Sequence, residues 1–164
     1  MEEQIEQLTK ESIRLELLVS ELYLLFHEQF PEDGRFWWRL VEEERNHAAL
    51  IRSALEYFAP VHQFPEKLLS GNLSVLRKTN EQLKELLAAF RKTSPGRIEA
   101  FECALKLETT AGELHFQHFL DENNLTNVEQ IFRQLNGDDR EHAERIRLYM
   151  SENGMHVEEL EKNV

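Results

Sequence analysis

A single cysteine, Cys103, leaves this 164-residue chain without an internal disulfide framework, a paired-cysteine metal knuckle or a rubredoxin-type iron site. Four prolines and six glycines offer few interruptions to regular structure. Strand-like alternation is nearly absent, so the expected class is all-α. Basic residues are outnumbered, 19 Lys and Arg against 31 Asp and Glu. The net charge of −12 speaks against nucleic acid, which needs a basic face, and against an anionic membrane surface. The longest apolar stretch, "LELLVSELYLLF", is cut by glutamates and too short to span a bilayer. The opening "MEEQIEQLTKE" has neither a basic n-region nor an apolar h-region, so no signal peptide is expected. A soluble cytoplasmic protein is the expectation, and its length suits one domain, residues 1–164.

Punctuation divides the chain. Helix A is expected from about residue 3 to 29, stopped before Pro31 in the turn "FPEDG". Helix B runs from about 35 to 58 and ends at Pro60. A long irregular connection, 60–94, holds "PVHQFPEKLLSGN" and a weaker, short helical piece, "NEQLKELLAAFRK". Helix C opens with Ser94 as N-cap and Pro95 at its first position and reaches about 122. Helix D spans about 126–152, with Thr126 and Glu129 at capping-box spacing and "NG" at Asn153-Gly154 as its stop. Two short connections and one long one describe two antiparallel hairpins joined by a crossover, the single-crossover four-helix bundle of ferritin-like folds.

Each helix carries an apolar stripe interrupted at mid-height by an acid. Helix A aligns Ile13, Glu16, Val19 and Tyr23; helix B aligns Trp37, Leu40, Glu44, His47, Ile51 and Leu55. Helix C aligns Phe101, Leu105, Glu108, His115 and Phe119; helix D aligns Phe132, Leu135, Asp139, His142 and Ile146. Ionisable groups aimed into a core are costly unless something there binds them. The acid-x-x-His spacing is weak evidence alone: about one match among seven histidines is expected by chance, and two occur. The order carries more weight. Glu16, Tyr23 and Glu44-x-x-His47-Ala48 in the first half are answered by Glu108, His115 and Asp139-x-x-His142-Ala143 in the second. The chain reads as a two-fold repeat of one helical hairpin.

From about Ile13 to Met150 these residues resemble the ferritin-like superfamily and, within it, the rubrerythrin-like di-iron proteins. The resemblance implies that Glu16, Glu44, His47, Glu108, Asp139 and His142 are the ligands of a dinuclear site, the carboxylates bridging or chelating and each histidine capping one metal. Carboxylate and imidazole suit iron first, with manganese or zinc as alternatives. Four carboxylates would be offset by two divalent cations. Tyr23 is expected to hydrogen-bond a ligand carboxylate, and His115 to support a ligand or serve as an extra one. Asp139 departs from the family's usual glutamate, and its shorter arm needs a backbone shift, a water or one-oxygen binding. Ala111 stands where rubrerythrins carry an additional glutamate, and the rubredoxin domain is missing, so any electron donor would be a separate protein.

Blander readings sit beside these. Glu11 and Glu113 are expected on solvated faces; His27, His62, His118 and His156 read as surface; Cys103 falls off the helix C stripe, as a buried small hydrophobe would. Phe36, Trp37 and Trp38 give helix B apolar character on more than one side, which leaves core packing and a homodimer contact both open. The leading functional expectation is a non-haem dinuclear metal protein that reacts with peroxide or dioxygen, or oxidises and handles iron. The alternative is a non-catalytic iron-binding, storage or metal-sensing module. A third reading, a scaffold with buried metal-free carboxylates, predicts raised carboxyl pKa values.

Overall fold

The computed structural model describes residues 2–58, 72–116 and 141–155, with side chains for 5–57, 72–110 and 141–155. Helix α1 spans Glu2–Gln29 and α2 spans Gly34–Phe58, joined by the 3-10 turn Pro31–Asp33. Helix α3 spans Leu73–Lys92 and α4 spans Arg97–Phe116. A fifth helix, α5, covers 141–152. Among the described residues there is no strand, and no helix is long and apolar enough to cross a membrane. The starts of helix D and its Thr126 capping box lie outside the described residues.

The crossover corrects the sequence reading. Its helix is neither weak nor short: α3 has 20 residues and begins at Leu73, not at Asn80. At 1.5 Å per residue it is about 30 Å long. Asn72 caps it, its side chain accepting from the Val75 amide at 3.2 Å. Leu76, Asn80, Leu83, Leu87 and Phe90 are buried at alternating spacings of four and three, a complete amphipathic face. The prolines at 60 and 65 stand upstream of this stripe and do not interrupt it.

The face packs on α1. Pairs climb both helices together, Arg77 with Glu11, Arg14 with Glu81 and Arg91 with Glu21, so α1 and α3 run parallel. Helix α1 therefore needs two apolar faces, and it buries Leu8, Leu15, Leu22 and Phe26 as well as Val19 and Tyr23. Glu11, expected in solvent, is half-buried here and accepts from Asn80 Nδ2 at 2.8 Å. His27, expected at the surface, is also half-buried, its Nδ1 2.9 Å from the Gly34 carbonyl oxygen.

Helix α4 starts two residues later than expected. Ser94 does not cap it; its hydroxyl instead accepts from Gln29 Nε2 at 3.2 Å. Gly96 takes the N-cap place: its carbonyl accepts from the Ala100 amide at 3.0 Å, and Glu99 reaches back to the Gly96 amide at 3.2 Å. Helix α5 stops as expected. Gly154, with φ 67°, lets the Met155 amide reach the Met150 carbonyl at 2.8 Å and the Gly154 amide reach Ser151 at 3.2 Å.

One end of the bundle is locked by Asp33, which is fully buried and accepts from Arg97 Nε at 2.7 Å, Arg97 Nη2 at 2.6 Å and the Tyr149 hydroxyl at 2.9 Å. The contact joins the α1–α2 turn to the start of α4 and the end of α5. Helices α2 and α4 therefore both run away from this end, while α1 and α5 run towards it. Above the lock, Trp37 packs on Phe26 at 5.0 Å and on Phe101 at 4.3 Å between ring centroids, and Phe36 stacks on Tyr149 at 4.2 Å. Trp38 stays 39% exposed, with His27 beside it and the Arg45 guanidinium 5.8 Å above its ring.

Candidate metal centre

Glu16 projects from the face of α1 that also buries Ser12, Ser20 and Tyr23. The close approach of α2 is visible at Ser20, whose hydroxyl donates to the Val41 carbonyl at 3.3 Å. That places Glu16 opposite Glu44 and His47, three residues apart on α2 and so on one face. His47 Nδ1 lies 3.4 Å from Glu44 Oε2 and 3.7 Å from Glu16 Oε2. On the other side, His142 Nδ1 from α5 lies 3.0 Å from Glu44 Oε1 and 3.5 Å from Glu108 Oε2 of α4. Two groups able to hold a metal ion result, Glu16–Glu44–His47 and Glu44–Glu108–His142, each with ligand atoms within 4.8 Å of one another. Glu44 belongs to both, one oxygen in each.

No family model, curated protein or solved structure matches the chain.

Burial makes the electrostatics severe. The Glu16, Glu44, His47 and His142 side chains are all less than a tenth exposed, and so is that of Glu108. Desolvation lowers the pKa of His47, but Glu16 and Glu44 outweigh it and push the value up to about 11. For His142 burial likewise lowers, and Glu108, Glu43 and Glu44 outweigh it, raising the value to about 12. Burial and the nearby Glu108 charge both push Glu44 up, yet the two imidazoles win and hold it below the ordinary carboxylate range. Without metal, then, the two imidazoles keep their protons and offset part of the buried negative charge. The scaffold reading expected raised carboxyl values; Glu44 moves the other way.

The polar geometry fits a cation better than a closed hydrogen-bond network. His142 is 1% exposed, and neither of its ring nitrogens completes a hydrogen bond among the described residues, although carboxylate oxygens lie 3.0–3.5 Å away. Oxygens and a ring nitrogen that converge without an aligned proton are a donor set for a hard or borderline divalent ion.

Tyr23 is fully buried and donates its hydroxyl to Glu108 Oε1, which leaves Glu108 Oε2 facing His142. Burial first, then the charges of Glu108 and Glu44, keep the phenol protonated far above neutral pH. Asp139 lies outside the described residues; His115 falls within α4, and its side chain lies outside them too, as does that of Glu113. Cys103 is half-buried on α4, and burial raises its thiol to about 11, the behaviour of a packing residue.

Two residues of the site were missed in the sequence. Glu43 Oε2 lies 3.1 Å from His142 Nε2, and Arg145 grips both oxygens of Glu43, with Nη1 2.8 Å from Oε1. A signal was available for Glu43 alone: an acid precedes the ligand-position acid in both halves, Glu43 before Glu44 and Asp138 before Asp139, although Glu43 is the middle of three in Glu42-Glu43-Glu44.

Proposed function

We propose that this protein is a dinuclear metal protein of ferritin-like, rubrerythrin-like type that reacts with peroxide or dioxygen, or oxidises and handles iron. One observation carries the reading: Glu44 is shared by two buried groups, each completed by one histidine and one further glutamate. The parallel run of α2 and α4, with α3 returning the chain between them, supports the single-crossover topology of such folds. Glu16, Glu44 and His47 would hold one ion; Glu44, Glu108 and His142 the other, with Asp139 as the expected additional ligand of the second. Oxygen-rich ligand sets of this kind suit iron, and two ferrous ions held there would supply one electron each to an oxidant.

The chain's own residues have defined work. To hold a metal, His47 and His142 would each give up a proton and present a lone pair. Glu44 would be shared by both ions. Tyr23 fixes the rotamer of Glu108 through its hydroxyl. The aromatic layer of Phe26, Trp37 and Phe101 below keeps water from that side of the cluster.

A second reading, binding without turnover as a store, chaperone or sensor, is favoured by Ala111, since no additional glutamate is present there to follow a change in metal charge. Metal analysis of protein isolated without added metal tests the site. About two equivalents are expected, falling to about one in both His47→Ala and His142→Ala. Ferrous-loaded protein should then consume peroxide faster than the same iron in buffer. Stoichiometric binding without that acceleration selects the second reading, and absence of metal binding rejects both.

A further inference from the structure

Arginines in this acidic chain are nearly all engaged. Except at positions 35, 45 and 52, every arginine among the described residues has an acid no farther than 3.7 Å away. Arg35, Arg45 and Arg52 have no acid partner there, and all three are exposed on α2. Positions 35, 38, 42, 45, 49, 52 and 56 alternate spacings of three and four, so they form a single line along the helix. It reads Arg, Trp, Glu, Arg, Ala, Arg, Glu, and every member is exposed. Trp38 leaves 39% of its surface open, with the Arg45 guanidinium 5.8 Å above its ring. We propose that this stripe of α2 docks an acidic helical segment of a partner protein.

Charge selects the partner. Three arginines against two glutamates leave the stripe net positive on a chain of −12. Glu42 and Glu56 lie three and four residues from Arg45 and Arg52, yet make no ion pair with them among the described residues. Each guanidinium therefore keeps a planar fork of donors that matches a carboxylate. Tryptophan and arginine are also the side chains that most often carry the binding energy of interfaces. The contact with Trp38 holds one of these cations in place before any partner arrives.

Shape selects a helix. The arginines span 17 residues in one line, about 26 Å of α2, and the small Ala49 between Arg45 and Arg52 lets a second helix approach closely. Nucleic acid and anionic membranes match poorly, because the acidic chain as a whole repels an extended polyanion. A short row of acids feels mainly the stripe, since more distant charges are screened. A second copy matches poorly as well: two-fold pairing would set one positive stripe against another. A contact one helix face wide is small, so the complex should be weak and salt-sensitive. No residue of the candidate metal groups lies on the stripe, and the inference stands apart from the dinuclear reading.

The probe is a fluorescein-labelled, tryptophan-free synthetic helix of about twenty residues with glutamates at spacings of three and four, compared with the same helix carrying lysines there. Anisotropy titrations with the full chain at low salt should show binding of the glutamate helix and none of the lysine helix. Tryptophan emission should shift to the blue, a change that belongs to Trp38 because Trp37 is already 0% exposed. Arg45→Glu combined with Arg52→Glu should weaken binding by about tenfold or more. Lys78→Glu combined with Lys84→Glu, the same charge change on exposed positions of α3, should leave it unchanged. Trp38→Ala should weaken binding about tenfold and abolish the emission shift; should it fail to fold, the arginine pair still decides. Metal analysis of these variants should match the unsubstituted chain. No binding, equal binding of both helices, or equal loss from the α3 reversal overturns the proposal. So does a homodimer that the α2 reversal dissolves, or duplex DNA that binds this stripe more tightly than the glutamate helix.

Discussion

The imidazole rings of His47 and His142 lie almost parallel, 5.4 Å apart between centroids and 13° from coplanar, and Glu44 sets one oxygen on each Nδ1. Two groups that are both cationic without metal would repel at this distance. Glu44 is what makes the pair tolerable, and it stands where one carboxylate can serve two ions.

Glu44→Gln should therefore be the most damaging conservative change in the site. It keeps the shape and removes the charge common to both groups. Metal content is expected to fall below one equivalent, lower than in either single histidine variant, as read by elemental analysis. A Glu44→Gln protein that still holds two equivalents would remove the shared-ligand argument.

Protons and metal compete, with a definite sign. The His47 and His142 values rise on folding from about 6.5 to about 11 and about 12. Their contribution to the metal-free fold is full below pH 6.5 and is lost as pH climbs towards those values. Metal binding should release protons, and the rise in melting temperature on adding zinc should be larger at pH 8.5 than at pH 6.5. Calorimetry in buffers of different ionisation enthalpy counts the protons. No release would mean that the imidazoles are not ligands.

Tyr23→Phe removes one hydroxyl from the buried partner of Glu108. Loss of a hydrogen bond to a buried charged group costs about 1.5–3 kcal/mol, measurable by urea unfolding of the metal-free protein. The ion served by Glu108 and His142 should weaken more than the one served by Glu16 and His47. Equal weakening of both ions would show that the phenol only packs.

At the far end of the bundle, Arg97→Met should cost about 3–5 kcal/mol, because it leaves the Asp33 carboxylate buried with Tyr149 alone. The midpoint of urea unfolding reads the loss. A change below about 1 kcal/mol would mean that the lock contributes little.

The hairpin of α1 and α2 was legible because Pro31 and Pro60 punctuate it and the interrupted stripes carry Glu16, Glu44 and His47 in phase. The prolines at 60 and 65 mask helix α3 in the sequence, where the link reads as mostly irregular. The stripe from Leu76 to Phe90 becomes visible only once Asn72 is taken as a cap. That omission also hid the second buried face of α1, whose partner it is. Asp33 gave no local sign of burial: it sits in a turn rich in polar residues, and Arg97, 64 residues away, is what draws it inside. Glu43 was lost within a run of acids; only the fold separates the oxygen that faces a metal position from the one that faces the back of an imidazole.

The Asp33–Arg97 lock has a consequence for the cluster it never touches. Glu44 lies eleven residues beyond Asp33 along α2, and Glu108 lies eleven residues beyond Arg97 along α4. Each span is about 16 Å of helix, and both start from the same bidentate pair. A slip of one residue between these rods would move a carboxylate by about 1.5 Å and rotate it out of reach, so the pair works as a gauge block. The level at which the two glutamates meet is set from the end of the barrel, like the teeth of two combs aligned by a pin through their handles.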